Sequence, residues 1–381
     1  MGIKLYSSRM PQESPLAALH RARGAAFIEE NSWILPLHFG DPLREYDAVR
    51  SHAGLLDLCH RSLLRLRGSD RTSYLQGMVS NDVKALTPGT GTQAAILDVN
   101  GKILSDLRIF CEEDCFLIDL WEFRRAKILA HLRHYLVAED VEIDDLTGRY
   151  ETLSLQGPEA RFLLNRILRP QELPSERLRH RPILIGKAEV RVVCSTHTGE
   201  DGFDLFLDTE KLPEVLARIE DAGKAFSIRW VGVQALNILR LEAGIPHYGV
   251  DMDEENLLLE TGLDDAVSFH KGCYLGQEVI ERIHSRGHVN KKLAGLILKG
   301  EAPAHRGDLI CSAENEIGKI TSSHFSPILK RPIALGYVHR DYLAPGTQVS
   351  LQHEEKGIQA EISSLPFYKP PMPLETPAEL S

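Results

Sequence analysis

The stretch Q-A-A-I-L-D-V-N-G-K-I-L-S-D-L-R-I-F, Gln93 to Phe110, decides the fold. Two apolar runs, Gln93 to Val99 and Ile103 to Phe110, flank Asn100-Gly101, the dipeptide that most strongly signals a tight hairpin. Upstream, Leu63, Leu64 and Leu66 read as a strand. Gly68-Ser69-Asp70 then offers a helix N-cap ahead of Tyr74, Leu75, Met78 and Val79, and Asn81-Asp82 closes that helix. Downstream, Cys115 to Leu120 reads as a strand and Phe123 to Tyr135 as a helix. From Ser51 to about Ala138 the order is therefore strand, helix, hairpin, strand, helix.

A second cycle follows. Thr152 to Leu155 is a strand, Gly157-Pro158 places proline at a helix start, and Phe162, Leu163, Ile167 and Leu168 share one helical face. Val190 to Cys194 and Phe203 to Leu207 flank a polar loop, and Leu212 to Ala222 and Val231 to Ala243 read as helices. Neither cycle carries a G-x-G-x-x-G after a strand, which points to α+β sandwiches rather than a nucleotide-binding doubly wound sheet. From Leu293 onward, short strands (Leu293 to Leu298, Ile317 to Ser322, Ala334 to Val338, Gln348 to Gln352) alternate with Gly, Pro and Asn turns, the pattern of a small β-barrel or sandwich. Beyond Phe367 a proline-rich acidic segment reads as a loose tail. The division expected is residues 1–288, 289–368 and 369–381.

Composition bounds the function. With 381 residues, 43% hydrophobic and 26% charged, the chain can bury two or three cores. It contains no apolar run long enough for a transmembrane helix, and Met1 to Gln12 has no secretory apolar core, so the expectation is a cytoplasmic protein with no membrane partner. A formal charge of -10 argues against direct nucleic-acid binding. The six cysteines lack zinc-site spacing, so no metal site is expected, and Cys111 and Cys115 bracket what reads as a hairpin turn.

Four segments carry candidate chemistry. In H-K-G-C-Y-L-G-Q-E-V-I-E-R, His270 to Arg282, Cys273 lies just before a helix whose dipole and amides, with Lys271 nearby, favour a thiolate. A reactive thiol, a metal ligand and a buried small residue all remain open on spacing alone. The loop Thr198-Gly199-Glu200-Asp201-Gly202-Phe203-Asp204 offers three carboxylates, expected exposed at a hairpin end. One of them could accept two N–H groups from a pterin or guanine-like ring; the alternative is a solvated turn. Asp98 and Asp106 flank the hairpin, and either could act as a general base if its strand end faces a pocket; the alternative is a structural role at the turn. His247 and Tyr248 follow a Gly-Ile-Pro helix stop and read equally well as cleft or surface.

Together, V-R-S-H-A-G-L-L-D-L (Val49 to Leu58), S-Y-L-Q-G-M-V-S-N-D-V (Ser73 to Val83), T-G-E-D-G-F-D, L-R-L-E-A-G-I-P-H-Y-G-V-D and K-G-C-Y-L-G-Q-E resemble the folate-binding aminomethyltransferase superfamily, which includes the glycine-cleavage T-protein. The resemblance implies an α+β fold: two interleaved ferredoxin-like subdomains plus a C-terminal β-barrel around a central tetrahydrofolate channel. It places Glu200 at the pterin and Asp106 at the catalytic aspartate, and brings Cys273, Lys271 and Tyr274 near the folate channel. K-G-C-Y-x-G-Q-E is the signature of the YgfZ-type branch, linked to iron–sulfur cluster assembly or repair and to tRNA modification. T-proteins lack that cysteine and read A-R-D where this chain has Ala235-Leu236-Asn237. The expected function is thus a tetrahydrofolate-binding accessory protein whose partners are folate and iron–sulfur enzymes or assembly factors. A folate-dependent aminomethyltransferase is the alternative. A third reading is a tRNA-binding or scaffold role through the basic run His284 to Lys292.

Overall fold

The computed structural model describes residues 11–168, 173–353 and 356–371. Its core is a pair of sheets through which the chain passes in alternation. The strand Gly54–Asp57 belongs to one sheet, the chain then builds the whole of the other from Arg61 to Asp145, and it returns to the first at Tyr150. The five-stranded sheet runs Gly91–Leu97, Ile103–Cys111, Phe116–Trp121, Arg61–Arg67, Glu142–Asp145. The six-stranded sheet runs His180–Ile185, Ala188–Cys194, Gly202–Asp208, Tyr150–Gln156, Gly54–Asp57, Arg229–Trp230.

Strand parity decides which side chains meet. Leu64, Leu66, Leu107, Ile109, Ile118 and Leu120 turn to the helices Arg71–Met78 and Glu122–His134 and form one core with them. Their alternates Leu63, Phe110 and Leu117 turn the other way and pack on Val193 and Phe206 of the six-stranded sheet. The same parity sends Arg61, Asp106, Arg108, Asp119 and Trp121 toward the space between the sheets. That layer is apolar at one end and ionic at the other. The six-stranded sheet covers its outer face with the helices Ala160–Ile167 and Leu212–Gly223, through Leu163, Leu164, Val215 and Ile219.

The hairpin forms with a different turn from the two-residue one its dipeptide suggests. Gly101 N donates to Asp98 O, Asp98 N to Lys102 O, and only Gly101 takes positive φ. Asp98 accepts from the amides of Asn100 (2.8 Å) and Lys102 (2.9 Å), so its carboxylate is spent on the turn. A Cβ on Gly276 would lie 2.5 Å from Asp98 O, so the hairpin tip can seat against the start of the helix Gln277–Arg286 only with glycine there. Asp70 also departs from expectation. It makes no side-chain cap on its own helix and instead accepts from the Asp140 amide.

The C-terminal part is a closed barrel in the order Lys291–Leu298, Arg331–His339, Asn315–Ser326, Leu309–Ser312, Gln348–His353, Lys356–Ser363. It docks on the helix Val233–Glu242 through Leu241 against Leu293, Ile333 and Leu335. Arg240 pairs with Asp251 at 2.7 Å, and Thr321 and Ser322 of the barrel donate to the same carboxylate. The chain leaving the barrel folds back: Tyr368 N donates to Glu242 O, so this residue is anchored. Of the expected tail, residues 372–381 lie outside the described residues.

Candidate active site

The ionic end of the inter-sheet layer is built from cross-strand neighbours. Arg108 stands opposite Asp119 and Arg61 opposite Trp121 in the strand register. Arg61 grips Asp119 with both Nε and Nη2 (2.8 and 2.6 Å), and Arg108 Nε reaches the same carboxylate at 2.6 Å. Arg108 continues across to Asp204 and Ser195 of the other half, and His197 Nε2 lies 3.0 Å from Asp204. Burial raises the Asp204 carboxyl, but His197 and Arg108 outweigh it and hold its pKa well below the usual range.

Beyond this network lies a recess lined by Trp33, His60, Trp121, Phe123 and His247. Trp121 is stacked near His60 (5.5 Å between centroids) and His247 (4.4 Å), with the Arg61 guanidinium 4.6 Å from its ring. Burial, helped by neighbouring cations, pushes the His60 pKa down to about 4 and His247 to about 3, so both rings are neutral at physiological pH. Among the described residues His60 Nδ1 and Arg108 Nη2 are buried without hydrogen-bond partners. An adjoining pocket shares His60 and is walled by Leu56, Trp230, Val233 and Leu236.

Asp106 is deep in the protein yet keeps part of its surface accessible. Trp121 Nε1 donates to its Oδ1 at 3.0 Å, and among the described residues Asp106 makes no ion pair. Burial raises its pKa; Arg61 and the indole N–H oppose the rise and Asp119 reinforces it. A carboxylate with one oxygen held and little compensation is chemically suited to accept a proton.

Glu200 lies elsewhere. The T-G-E-D-G-F-D loop is not an exposed turn: Glu200 is 5% and Asp204 0% exposed, because arginines distant in sequence fold onto them. Arg50 Nη1 donates to Glu200 Oε1 at 2.7 Å, its Nη2 donates to Glu242, and Tyr46 and Ser326 hydroxyls complete Glu242. The Tyr368 ring covers Arg50 at 4.3 Å. Asp201 pairs with Arg161 at 3.1 Å. Asp106 and Glu200 share no hydrogen-bond partner among the described residues.

The K-G-C-Y-L-G-Q segment caps a helix. Lys271 Nζ donates to the carbonyls of Gln76 (2.8 Å), Val79 (2.5 Å) and Asn81 (2.7 Å), and Leu275 N donates to Gly77 O, so this loop satisfies the end of the Arg71–Met78 helix. Burial brings the Lys271 ammonium down to about 8. Tyr274 is buried beside Leu97, Ile103 and Tyr248, in a cluster whose edge is Trp121 and Phe123. Cys273 between them is exposed, which removes the buried-residue reading and leaves its thiol open to solvent. Tyr248 is also buried, its hydroxyl donating to the carbonyls of Ile103 and Leu104, while His247 belongs to the recess.

The comparisons with known proteins match this architecture. Residues 16–271 match the GCVT N-terminal domain and residues 291–369 the glycine cleavage T-protein C-terminal barrel domain. The chain belongs to the glycine-cleavage T-protein family. T-protein relatives align end to end: an aminomethyltransferase of Rubrobacter xylanophilus is 34% identical over 94% of both chains. One of Chlorobium phaeovibrioides is 31% identical over 94% of this chain and 99% of its own length. The crystal structure of the glycine cleavage system aminomethyltransferase T from Bartonella henselae superposes with a TM-score of 0.86 at 26% identity, covering 94% of this chain and 98% of that one. The T-protein match carries the α+β fold with its barrel; it does not single out the YgfZ-type branch within the superfamily. Among the described residues no helix is long and apolar enough to cross a membrane.

Proposed function

We propose that this chain binds tetrahydrofolate in the recess beside Asp106 and transfers to it the one-carbon unit of an aminomethyl group carried on a lipoyl thiol, the aminomethyl transfer for which its relatives are named. Proteins of the family use tetrahydrofolate. One observation carries the reading: Asp106 sits next to a wall of flat rings, with one oxygen fixed by Trp121 and no other side chain among the described residues donating to the carboxylate. Flat rings line this recess, and His60 Nδ1 is a buried atom without a hydrogen-bond partner among the described residues, a feature that suits a polar ligand. Bound tetrahydrofolate would supply the nitrogen nucleophiles for the methylene carbon, with ammonia and the carrier's thiol leaving and ending with the two hydrogens that the folate nitrogens lose. Asp106 takes up the proton that one of these nitrogens loses, and the surrounding burial keeps the carboxylate basic enough to do so. Glu200, which Arg50 orients outside this recess, would meet pterin N–H groups only of a ligand that extends beyond the recess.

Calorimetric titration with reduced folate and a lipoyl-carrier-dependent transfer assay test this together. Asp106→Asn should bind folate and lose transfer; wild-type protein that binds no reduced folate overturns the reading.

A second reading is favoured by two residues. Exposed Cys273 within K-G-C-Y-L-G-Q-E and Leu236 in place of an arginine suit a YgfZ-type accessory of iron–sulfur assembly or repair, with folate kept as ligand. Cells carrying Cys273→Ala, assayed for iron–sulfur enzyme activity and tRNA modification, test it; unchanged values exclude it.

A further inference from the structure

Trp121 ends the strand Phe116–Trp121, one register step beyond the Leu107–Leu120 pair, and so comes to rest beside Asp106 on the neighbouring strand. We infer that Trp121 is a positioning residue for Asp106, holding one carboxylate oxygen through its only N–H and leaving the other for a ligand. Indole nitrogen donates and never accepts, so this bond persists only while the oxygen it meets is an acceptor. A single donor can hold a single oxygen, which fixes the tilt of the carboxylate without occupying it.

The indole is itself immobilised. Arg61 lies across it from the adjacent strand, and His247 and His60 pack near it at 4.4 and 5.5 Å. Arg61 is in turn clamped by Asp119, and Asp119 by Arg108, so a chain of contacts runs from the inter-sheet ion network to the tilt of Asp106. The groups facing Asp106 come from three elements: Arg61 from its strand, Trp121 and Asp119 from the next, and Tyr248 from the segment after the Val233–Glu242 helix. Arg61, Trp121 and the residue's own backbone N–H favour the charged carboxylate; burial and Asp119 oppose it. Losing the indole N–H should therefore make Asp106 a weaker acid and loosen its orientation at once.

Trp121 is one of three tryptophans, so its indole N–H signal can be followed in protein carrying ¹⁵N-tryptophan and assigned with Trp121→Phe. In wild-type protein that signal should shift with pH around a midpoint above the ordinary aspartate value of about 3.9. In Asp106→Asn the component with that midpoint should vanish, leaving only the shift caused by His60 and His247, which pack on the indole and titrate at about 4 and about 3. The inference also rests on the transfer reading for its kinetic consequence: Trp121→Phe should keep folate affinity within about threefold, lower kcat about tenfold, the worth of one hydrogen bond to a charged group, and move the acidic limb of the rate to higher pH. A Trp121 signal that titrates equally in Asp106→Asn, or a Trp121→Phe enzyme with the wild-type acidic limb, overturns the assignment. Should wild-type protein bind no reduced folate, the transfer reading falls, and the indole titration, which needs no change at Trp121, still decides the positioning.

Discussion

Asp106 and Glu200 stand in the two α+β halves, and the protein compensates them in opposite ways. Burial raises both pKa values. Glu200 answers burial with Arg50, a cation shared with Glu242 and capped by Tyr368, so its charge is part of what holds helix, loop and barrel exit together. Asp106 has an indole N–H and the field of an arginine already engaged by Asp119. A buried charge that is fully paired belongs to the architecture, whereas one left nearly unpaired persists at a cost to stability and is explained by what it does.

The sharpest way to break this contrast is to remove each group's support. Arg50→Met leaves Glu200 and Glu242 buried without their cation and should cost about 3–5 kcal/mol of unfolding free energy, read from denaturant midpoints. Asp106→Asn should change stability by less than about 1 kcal/mol, because no ion pair is lost, while lowering aminomethyl transfer about 10²–10⁴-fold. If the two substitutions destabilise equally, the distinction between paired and unpaired carboxylates fails.

Acid titration sharpens it further. Asp204 has a folded pKa below its unfolded one, so its contribution is present above about pH 4 and disappears as pH falls toward the folded value. Asp106 has the opposite sign: its folded pKa lies above the unfolded one, so its ionisation erodes stability as pH rises from about 4 through the folded value. Asp106→Asn should thus gain on wild type with rising pH and then level off. Arg108→Met should flatten the acid side, since it removes one of the groups that depress Asp204. Chemical denaturation at several pH values gives both curves.

Much of this was legible along the chain. The hairpin, the two helix-bearing cycles and the short barrel strands follow from local periodicity and turn residues, and local signals survive folding. Asp106-Leu107-Arg108-Ile109-Phe110 even carries the parity that puts Asp106 and Arg108 on one face. What local reading could not supply was the partner of each charge. Arg50 meets Glu242 across 192 positions, and Arg108 meets Asp204 across 96. Trp121 fell between an expected strand ending at Leu120 and a helix starting at Phe123, so no periodicity marked it. The same blindness made the T-G-E-D-G-F-D loop read as exposed.

Lys271 and Cys273 give the smallest effects and the finest contrast, two residues apart in one loop. Lys271 spends its donors on the carbonyls of Gln76, Val79 and Asn81, so Lys271→Met strands buried acceptors and should cost about 1–3 kcal/mol. Cys273 is exposed, and Cys273→Ala should change stability by less than about 0.5 kcal/mol. A loop that only capped a helix would need the lysine and be indifferent to the thiol. If Cys273→Ala leaves both the thermal midpoint and folate transfer unchanged yet depresses iron–sulfur enzyme activity in cells, the thiol acts outside the recess and the accessory reading gains. If it leaves all three unchanged, helix capping accounts for the segment and Asp106 carries the function alone.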